Sequence, residues 1–318
     1  MNIRFWGTRG SLPASITERD IRSKIKSALS LAVEKNISPE SDLDTFIERH
    51  LPFAVRGTYG TNTSCVEIGS GDDFVLCDAG SGLRDFAKHY LKHHDFAAPM
   101  EFHIFISHIH WDHIQGFPFF IPIYIDGTRI TLYGCHEDMK EAFFAQQKPP
   151  FFPIDFRDLN ADIKFVSLTP DKSYEIAGFK VTAKRQNHPG DSYGYRFEKG
   201  GKIVVYSTDS EHKTVDDEDS ELFVEFFRNA DLLIFDAQYT LAEALTIKED
   251  WGHSSNVMGV EFALKSNVKH LCLFHQEPVT SDEQLDQILQ DTQRLSALLN
   301  EGQDLKVSIA WDGMVVEL

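Results

Sequence analysis

Ser107-His108-Ile109-His110-Trp111-Asp112-His113 is the stretch that decides how the rest of this 318-residue chain is read. It closes residues 102–106, a run almost wholly apolar and short enough to be a buried strand. Four metal-binding side chains then fall within six residues, from His108 to His113. At the end of an extended strand His108 and His110 lie two apart and project to the same side. Asp112 and His113 come where the chain can swing into a helix, so they can face a second point close by. Imidazole and carboxylate at this density suit zinc, manganese or iron, and ligands shared between two ions suit a dinuclear centre. At this chain's own His and Asp frequencies, His-x-His-x-Asp-His arises by chance roughly 0.002 times, so a solvated His-rich loop is the weaker account.

Composition narrows the partners. Hydrophobic residues make up 42% and aromatics 12%, which excludes a disordered chain. The 49 acidic residues outweigh 31 basic ones for a net charge of −18, and such a surface repels polyphosphate chains. A small anionic substrate remains open to it, because two divalent ions would reverse the local sign. Cys65, Cys77, Cys135 and Cys272 lie scattered in apolar runs without a Cys-x-x-Cys pair and read as reduced, buried residues. Met1 leads straight into a strand-like run without a signal-peptide core, and no apolar run approaches ~18 residues. The expectation is a cytoplasmic protein without a membrane span.

Taken in order, residues 2–6 alternate like a strand and end in a turn cluster at 7–11. Ile21, Ile25, Leu29 and Val33 mark one face of a helix entered through Thr17. Ser38-Pro39-Glu40 opens a second, with Leu43, Phe46, Ile47 and Leu51 on its apolar side. Residues 14–56 therefore read as a helical insertion in a single domain spanning 1–318, serving as a lid or a homodimer element, with its apolar faces covered. Strands follow at 64–68 and 73–78, then a helix from Ser81 to about His94 that presents His89, His93 and His94 to solvent. The stretch 116–122 is too Pro-rich for a helix and reads as chain packed beside the motif. The aromatics between 143 and 152 suit core packing or a ligand wall. A strand at 129–133 and a helix at 137–146 lead into them, and beyond them come hairpin corners near 177 and 200 and helices near 217–228, 255–265 and 282–300. Strands near 231–235, 269–273, 305–309 and 314–317 alternate with these helices, which suggests two stacked mixed sheets with helices outside.

The histidine-rich stretch resembles the metal motif of the metallo-β-lactamase superfamily of metal-dependent hydrolases. The resemblance implies an αββα sandwich of two mixed β-sheets flanked by helices, an α/β fold that covers nearly the whole chain apart from about 14–56. It also implies two divalent metal ions, zinc first, with manganese or iron as alternatives. Further ligands would come from His188 in Asn187-His188-Pro189-Gly190, Asp209 in Ser207-Thr208-Asp209 and His275 in Phe274-His275-Gln276. His108, His110 and His188 would hold one ion; Asp112, His113 and His275 the other; Asp209 would lie between. A histidine at 110 is similar to the hydrolytic rather than the oxygen-reducing branch.

Trp251-Gly252-His253-Ser254 resembles a motif of the phosphodiesterase branch that includes the tRNA 3′-processing endonuclease RNase Z. There the histidine helps protonate the leaving oxygen, oriented by a glutamate, whose position here is taken by Asp236 in Phe235-Asp236-Ala237-Gln238. The catalytic set implied is thus Asp112, His253 and Asp236. RNase Z grips tRNA through a basic arm between the metal motif and the third-motif histidine, whereas residues 114–187 show no Gly/Lys-rich excursion. The expected partner is accordingly a small anionic phosphodiester such as a cyclic nucleotide, oriented by Arg9, Arg56, Arg185 and Arg196. Alternatives are an RNase Z-like endonuclease acting on nucleic acid, a lactam, lactone or thioester hydrolase, and a metal-binding sensor without turnover.

Overall fold

Strands of three to eight residues pair, in a computed structural model of the chain, into two seven-stranded sheets. The structure describes all residues except 39–40, 70–73, 94–99, 245 and 301. The first sheet runs in space as Val315–Glu317 (β14), Asn2–Gly7 (β1), Cys65–Gly69 (β2), Phe74–Cys77 (β3), Glu101–Phe105 (β4), Arg129–Gly134 (β5) and Asp162–Ser167 (β6). The second runs Lys306–Ile309 (β13), His270–Phe274 (β12), Leu232–Asp236 (β11), Lys202–Ser207 (β10), Ser192–Lys199 (β9), Phe179–Gln186 (β8) and Ser173–Ile176 (β7). Each mixes antiparallel hairpins with a parallel set, β3 to β6 in one and β10 to β13 in the other.

Strand patterning follows from burial on both faces. Phe105, Cys272, Phe274 and Ile234 point between the sheets, where they meet Phe5, Tyr195, Phe197 and Tyr206. Their neighbours Phe102, Ile104, Leu271, Leu273 and Phe235 point outward under helices. That is why these strands read as continuous apolar runs rather than alternating ones. Outside the first sheet pack Gly82–His93 (α4) and Met139–Gln146 (α6); outside the second pack Glu218–Phe227 (α7), Asn256–Lys265 (α8) and Asp282–Leu299 (α9). The two-residue corner Gly200-Gly201 joins β9 to β10 with both residues at positive φ, as a tight right-twisting hairpin requires. The expected αββα sandwich is the observed one. Cys65, Cys77 and Cys272 are buried and all four cysteines are free. Among the described residues no helix is long and apolar enough to cross a membrane.

Several expectations shift. The second insertion helix begins at Leu43, not at Ser38-Pro39-Glu40: Asp42 caps it by accepting from the Thr45 amide, and residues 39–40 lie outside the described set. Residue 73 and His94 also lie outside that set, and α4 is described to His93. His89, though exposed, is not merely solvated, since it contacts the Arg4 guanidinium at 3.0 Å. Residues 117–119 and 121–124 form short 3₁₀ turns despite their prolines, because proline at the first turn costs no hydrogen bond. Phe117 and Phe120 are core residues there. Of the later aromatics Phe143 is buried and Phe151 exposed, so that stretch divides between the two readings.

Residues 14–56, expected as an insertion, hold Glu18–Glu34 (α1), Leu43–His50 (α2) and Phe53–Arg56 (α3). Thr17 and Asp20 close a capping box on α1. Lys24 pins α1 inward to the carbonyls of Ala54 and Gly57 and to Asp282 at 2.6 Å. Its apolar stripe stays open, from Ile21 at 50% exposure to Val33 at 79%, so within one chain the expected cover is missing.

Two buried rings tie stability to pH. His212 lies between Phe223 and Phe262, and burial holds its pKa down to about 4. His270, bonded to Ser308, is likewise held by burial at about 4. An unfolded chain takes up these protons near pH 6.5 and the folded one only near 4, so stability present above ~6.5 is lost as pH falls toward 4, by about 3 kcal/mol per ring at most. Denaturant midpoints should therefore fall between pH 6.5 and 4.5, and His270→Asn should remove part of that slope. Equal slopes in both proteins would mean that the ring titrates normally.

Candidate metal centre

The candidate site lies at the carboxyl ends of the parallel strands, where loops from both sheets meet. Ser107–His113 follows β4, Asp209 follows β10, Asp236 ends β11 and His275 follows β12. His188 sits in the connection from β8 to β9. His110 stands in extended conformation immediately before the single-turn helix Trp111–Ile114 (α5), which turns Asp112 and His113 back toward His275. Asp209 and His275 adopt left-handed backbone conformations, φ 54° and 63°, that only the convergence of their side chains explains.

The structure brings all seven expected ligands together, in the expected groups. His108, His110 and His188 form one cluster of donor atoms, and Asp112, His113 and His275 form another. Asp209 spans them. Its Oδ1 lies 3.6 Å from His108 Nε2 and 3.9 Å from His188 Nε2. Its Oδ2 lies 3.2 Å from His113 Nε2 and 3.5 Å from His275 Nε2. Asp112 Oδ2 is 3.2 Å from both of those nitrogens, which are themselves 3.1 Å apart.

Hydrogen bonds behind the rings set which nitrogen faces inward. His113 Nδ1–H donates to Asp78 Oδ2 at 2.7 Å, and His188 Nδ1–H donates to the Gly252 carbonyl at 2.8 Å. Each therefore directs Nε2 to the cluster, the nitrogen that would bind a metal once it gives up any proton. Asp112 accepts the Ser11 amide at 2.8 Å and Asp209 the Thr208 hydroxyl at 2.7 Å.

Charge is arranged for a cation. Burial disfavours a proton on His113, yet Asp112, Asp209 and Asp78 outweigh it and raise its pKa well above the usual imidazole value. Burial likewise opposes ionisation of Asp209, but His275, His113 and His108 hold its carboxyl well below the usual range. Burial and the neighbouring rings lower His108 and His110. His108 Nε2 is buried with no hydrogen-bond partner. A buried lone pair without a donor, two imidazoles aimed at one point and a carboxylate shared between clusters fit two divalent ions.

Beside the cluster, His253 Nδ1–H donates to Asp236 Oδ2 at 2.8 Å. The shorter aspartate reaches because it ends β11, directly under the 250–254 loop. Glu211 ties that loop down by accepting the amides of Asp250 and Gly252, at 3.0 Å each. Ser254 Oγ receives the His212 amide and donates to the Ser210 carbonyl. The ligand segment 209–212 and the loop bearing His253 are thus one cross-linked unit.

Each of the four arginines has partners outside the ligand cluster. Arg9 is buried on the carbonyls of Gly60, Glu277 and Thr280, and Arg56 pairs with Glu48. Arg185 pairs with Asp191, and Arg196 holds the carbonyls of Phe226 and Arg228. Sequence reading missed Asp78, Tyr206 and Glu211. Asp78 also accepts the Ser107 amide and the Tyr206 hydroxyl, both at 2.7 Å. A carboxylate that ends the apolar strand β3 beside the strand bearing the motif is the signal that could have found it.

Because Asp78 fixes the His113 tautomer, Asp78→Asn should weaken metal binding roughly 10- to 100-fold, measured by chelator competition, with the far-ultraviolet spectrum unchanged. Unaltered affinity would reduce Asp78 to a packing role.

Residues 74–276, well over half of the chain, match the family described as a beta-lactamase superfamily domain. The chain is 25% identical to ribonuclease Z of Picrophilus torridus over 252 residues, covering 64% of this chain and 73% of that one. It is 31% identical to ribonuclease Z of Staphylococcus carnosus over 146 residues, only 42% of either chain. Its fold is similar to that of the metallo-beta-lactamase fold protein YhfI from Bacillus subtilis, with a TM-score of 0.62 and 19% identity over 99% of each chain. Human tRNase Z, short form, gives a TM-score of 0.60 and 19% identity over 100% of this chain and 99% of that one. The chain belongs to the metallo-β-lactamase superfamily of metal-dependent hydrolases.

Proposed function

We propose that this chain hydrolyses phosphodiesters, with His253 as the acid that protonates the leaving oxygen and Asp236 as the residue that orients it. The pairing of His253 with Asp236 at 2.8 Å, next to the shared carboxylate of Asp209, carries the reading. An alkoxide leaves a phosphodiester poorly without a proton, whereas lactams and thioesters need that acid less. Burial works against a charged His253, but Asp236 outweighs it and raises the pKa above the usual imidazole value, which favours the protonated ring. Two divalent ions, when bound by the seven ligands, supply Lewis acidity toward the phosphoryl oxygen and acidify a water. Zinc suits the histidine-rich set best, and manganese is the alternative.

For the substrate, the two curated relatives named above are both ribonucleases Z, which favours an RNA endonuclease of that kind. A small diester is the second reading, favoured by one observation. The interval between the metal motif and His188 is folded into α6 and β5 to β8 without a basic arm, in a chain of net charge −18. The first reading predicts site-specific cleavage of precursor tRNA with a KM that rises steeply between about 50 and 200 mM salt, as many phosphate contacts require. Turnover confined to cyclic nucleotides, with a flat salt dependence, would replace it with the second.

The acid itself is tested apart from substrate size. His253→Ala should lower kcat by roughly 10²–10⁴ with two metal equivalents retained. Asp236→Asn should move the alkaline limb of the kcat profile to lower pH, because the proton is then held less tightly. Loss of metal from His253→Ala would make the ring a ligand instead.

A further inference from the structure

We propose that Lys248 is a positioning residue for His253, an inference that rests on the acid role given to that ring. Three rings box His253: His188 and His275, each 5.1 Å away between centroids, and Tyr239, at 5.5 Å and nearly perpendicular. The two histidines belong to the ligand clusters. Tyr239 does not, and the Lys248 ammonium lies over its face, 4.9 Å from the centroid. The same ammonium is 4.3 Å from the centroid of Trp251, two residues before His253, and pairs with Glu277 Oε1 at 2.9 Å. Glu277 lies two residues after His275, and its carbonyl accepts Arg9 Nη1. One cation thus joins the segment before His253, the ring beside it and the segment after His275.

The burial pattern of the loop singles out this lysine. From 246 to 251 every residue is exposed except Lys248, which keeps only 19% of its side chain in water. Its neighbour Ile247 is 73% exposed. A lysine turned inward beside an isoleucine turned outward reverses the ordinary preference. Glu277 is likewise only 20% exposed, so the pair is shielded from the water that makes surface ion pairs weak. Two aromatic rings add to the hold, since a cation is attracted to the negative face of each. Apolar packing does not place this loop: with Leu241, Ile247 and Trp251 turned outward, polar contacts decide where it lies. Glu211 and Lys213 anchor it near His188, through the amides of Asp250 and Gly252 and the carboxylates of Glu249 and Asp250. Lys248 supplies the second anchor, beside Tyr239.

Leaving groups separate positioning from folding. On the zinc-loaded protein, kcat is measured for methyl p-nitrophenyl phosphate, whose leaving group departs readily, and for methyl phenyl phosphate, whose more basic oxygen needs the acid. Lys248→Met should lower kcat for the phenyl ester by roughly tenfold or more and for the p-nitrophenyl ester by at most about twofold, with KM unchanged. Lys248→Arg, which keeps a cation suited to aromatic faces, should restore the phenyl ester. Glu277→Gln should repeat the selective loss and add little to Lys248→Met, because both remove one contact. An equal fall for both esters in Lys248→Met, or no fall, would overturn the positioning role. A second measurement does not depend on turnover. The His253 ring proton bonded to Asp236, followed by proton NMR and assigned by its absence in His253→Ala, should exchange with water roughly tenfold faster or more in Lys248→Met. If neither ester is cleaved, or His253→Ala affects both alike, the acid role falls and this exchange alone decides. Faster exchange then leaves Lys248 as the residue that holds the ring; unchanged exchange removes the proposal.

Discussion

Asp209 carries the constraint on which the rest of the structure depends. A carboxylate buried this completely is costly unless opposite charge surrounds it. Here both oxygens are committed to different imidazole clusters, one toward His108 and His188 and the other toward His113 and His275. To serve both, Asp209 has to stand where two sheets end together. The stacking of β3 to β6 against β10 to β13 supplies that place. The left-handed backbone at Asp209 and His275, and at Asp78 behind them, is the local strain accepted for it.

Rigidity behind the ligands matters as much as the ligands. Asp78 is the clearest case, since one carboxylate takes the His113 ring, the Ser107 amide and hydroxyl, and the Tyr206 hydroxyl. It thereby joins the loop after β4 to strand β10 of the opposite sheet through a buried ionic hub rather than through apolar packing alone. A hub of this kind is strong only when every member is satisfied. That condition couples metal affinity to the packing of the two sheets.

The legibility of the site in the sequence follows the same division. Residues that converge on the candidate metal centre were readable where chemistry is dense, as in His108 to His113, or where a polar residue follows an apolar strand, as at Asp209 and His275. The outer helices were readable from their periodicity. For the arginines the sequence offered only proximity to a motif, which gives no direction, and each guanidinium turns to backbone carbonyls or carboxylates nearby. The start of α2 was misread because proline marks a permissible first turn, while the Asp42–Thr45 cap decides the actual one. Asp78, Tyr206 and Glu211 act through partners 29, 128 and 41 positions away, a pairing that no local pattern encodes.

Gly252 shows how narrowly His253 and the His188 side of the cluster are joined. At φ +87° it occupies backbone space that favours glycine, and a Cβ there would come within 2.3 Å of His188 Nδ1 and 2.5 Å of Pro189 Cδ. Its amide is held by Glu211 and its carbonyl holds His188, so one peptide fixes a ligand on one side while the next residue, His253, is fixed on Asp236. Any movement of the loop that displaced His253 would also release the His188 tautomer. The positions of the His188 and His253 rings are therefore tied together, by a single turn of backbone. That coupling gives the Trp-Gly-His order a physical reason: the indole outward, the glycine against the ligand, the histidine inward.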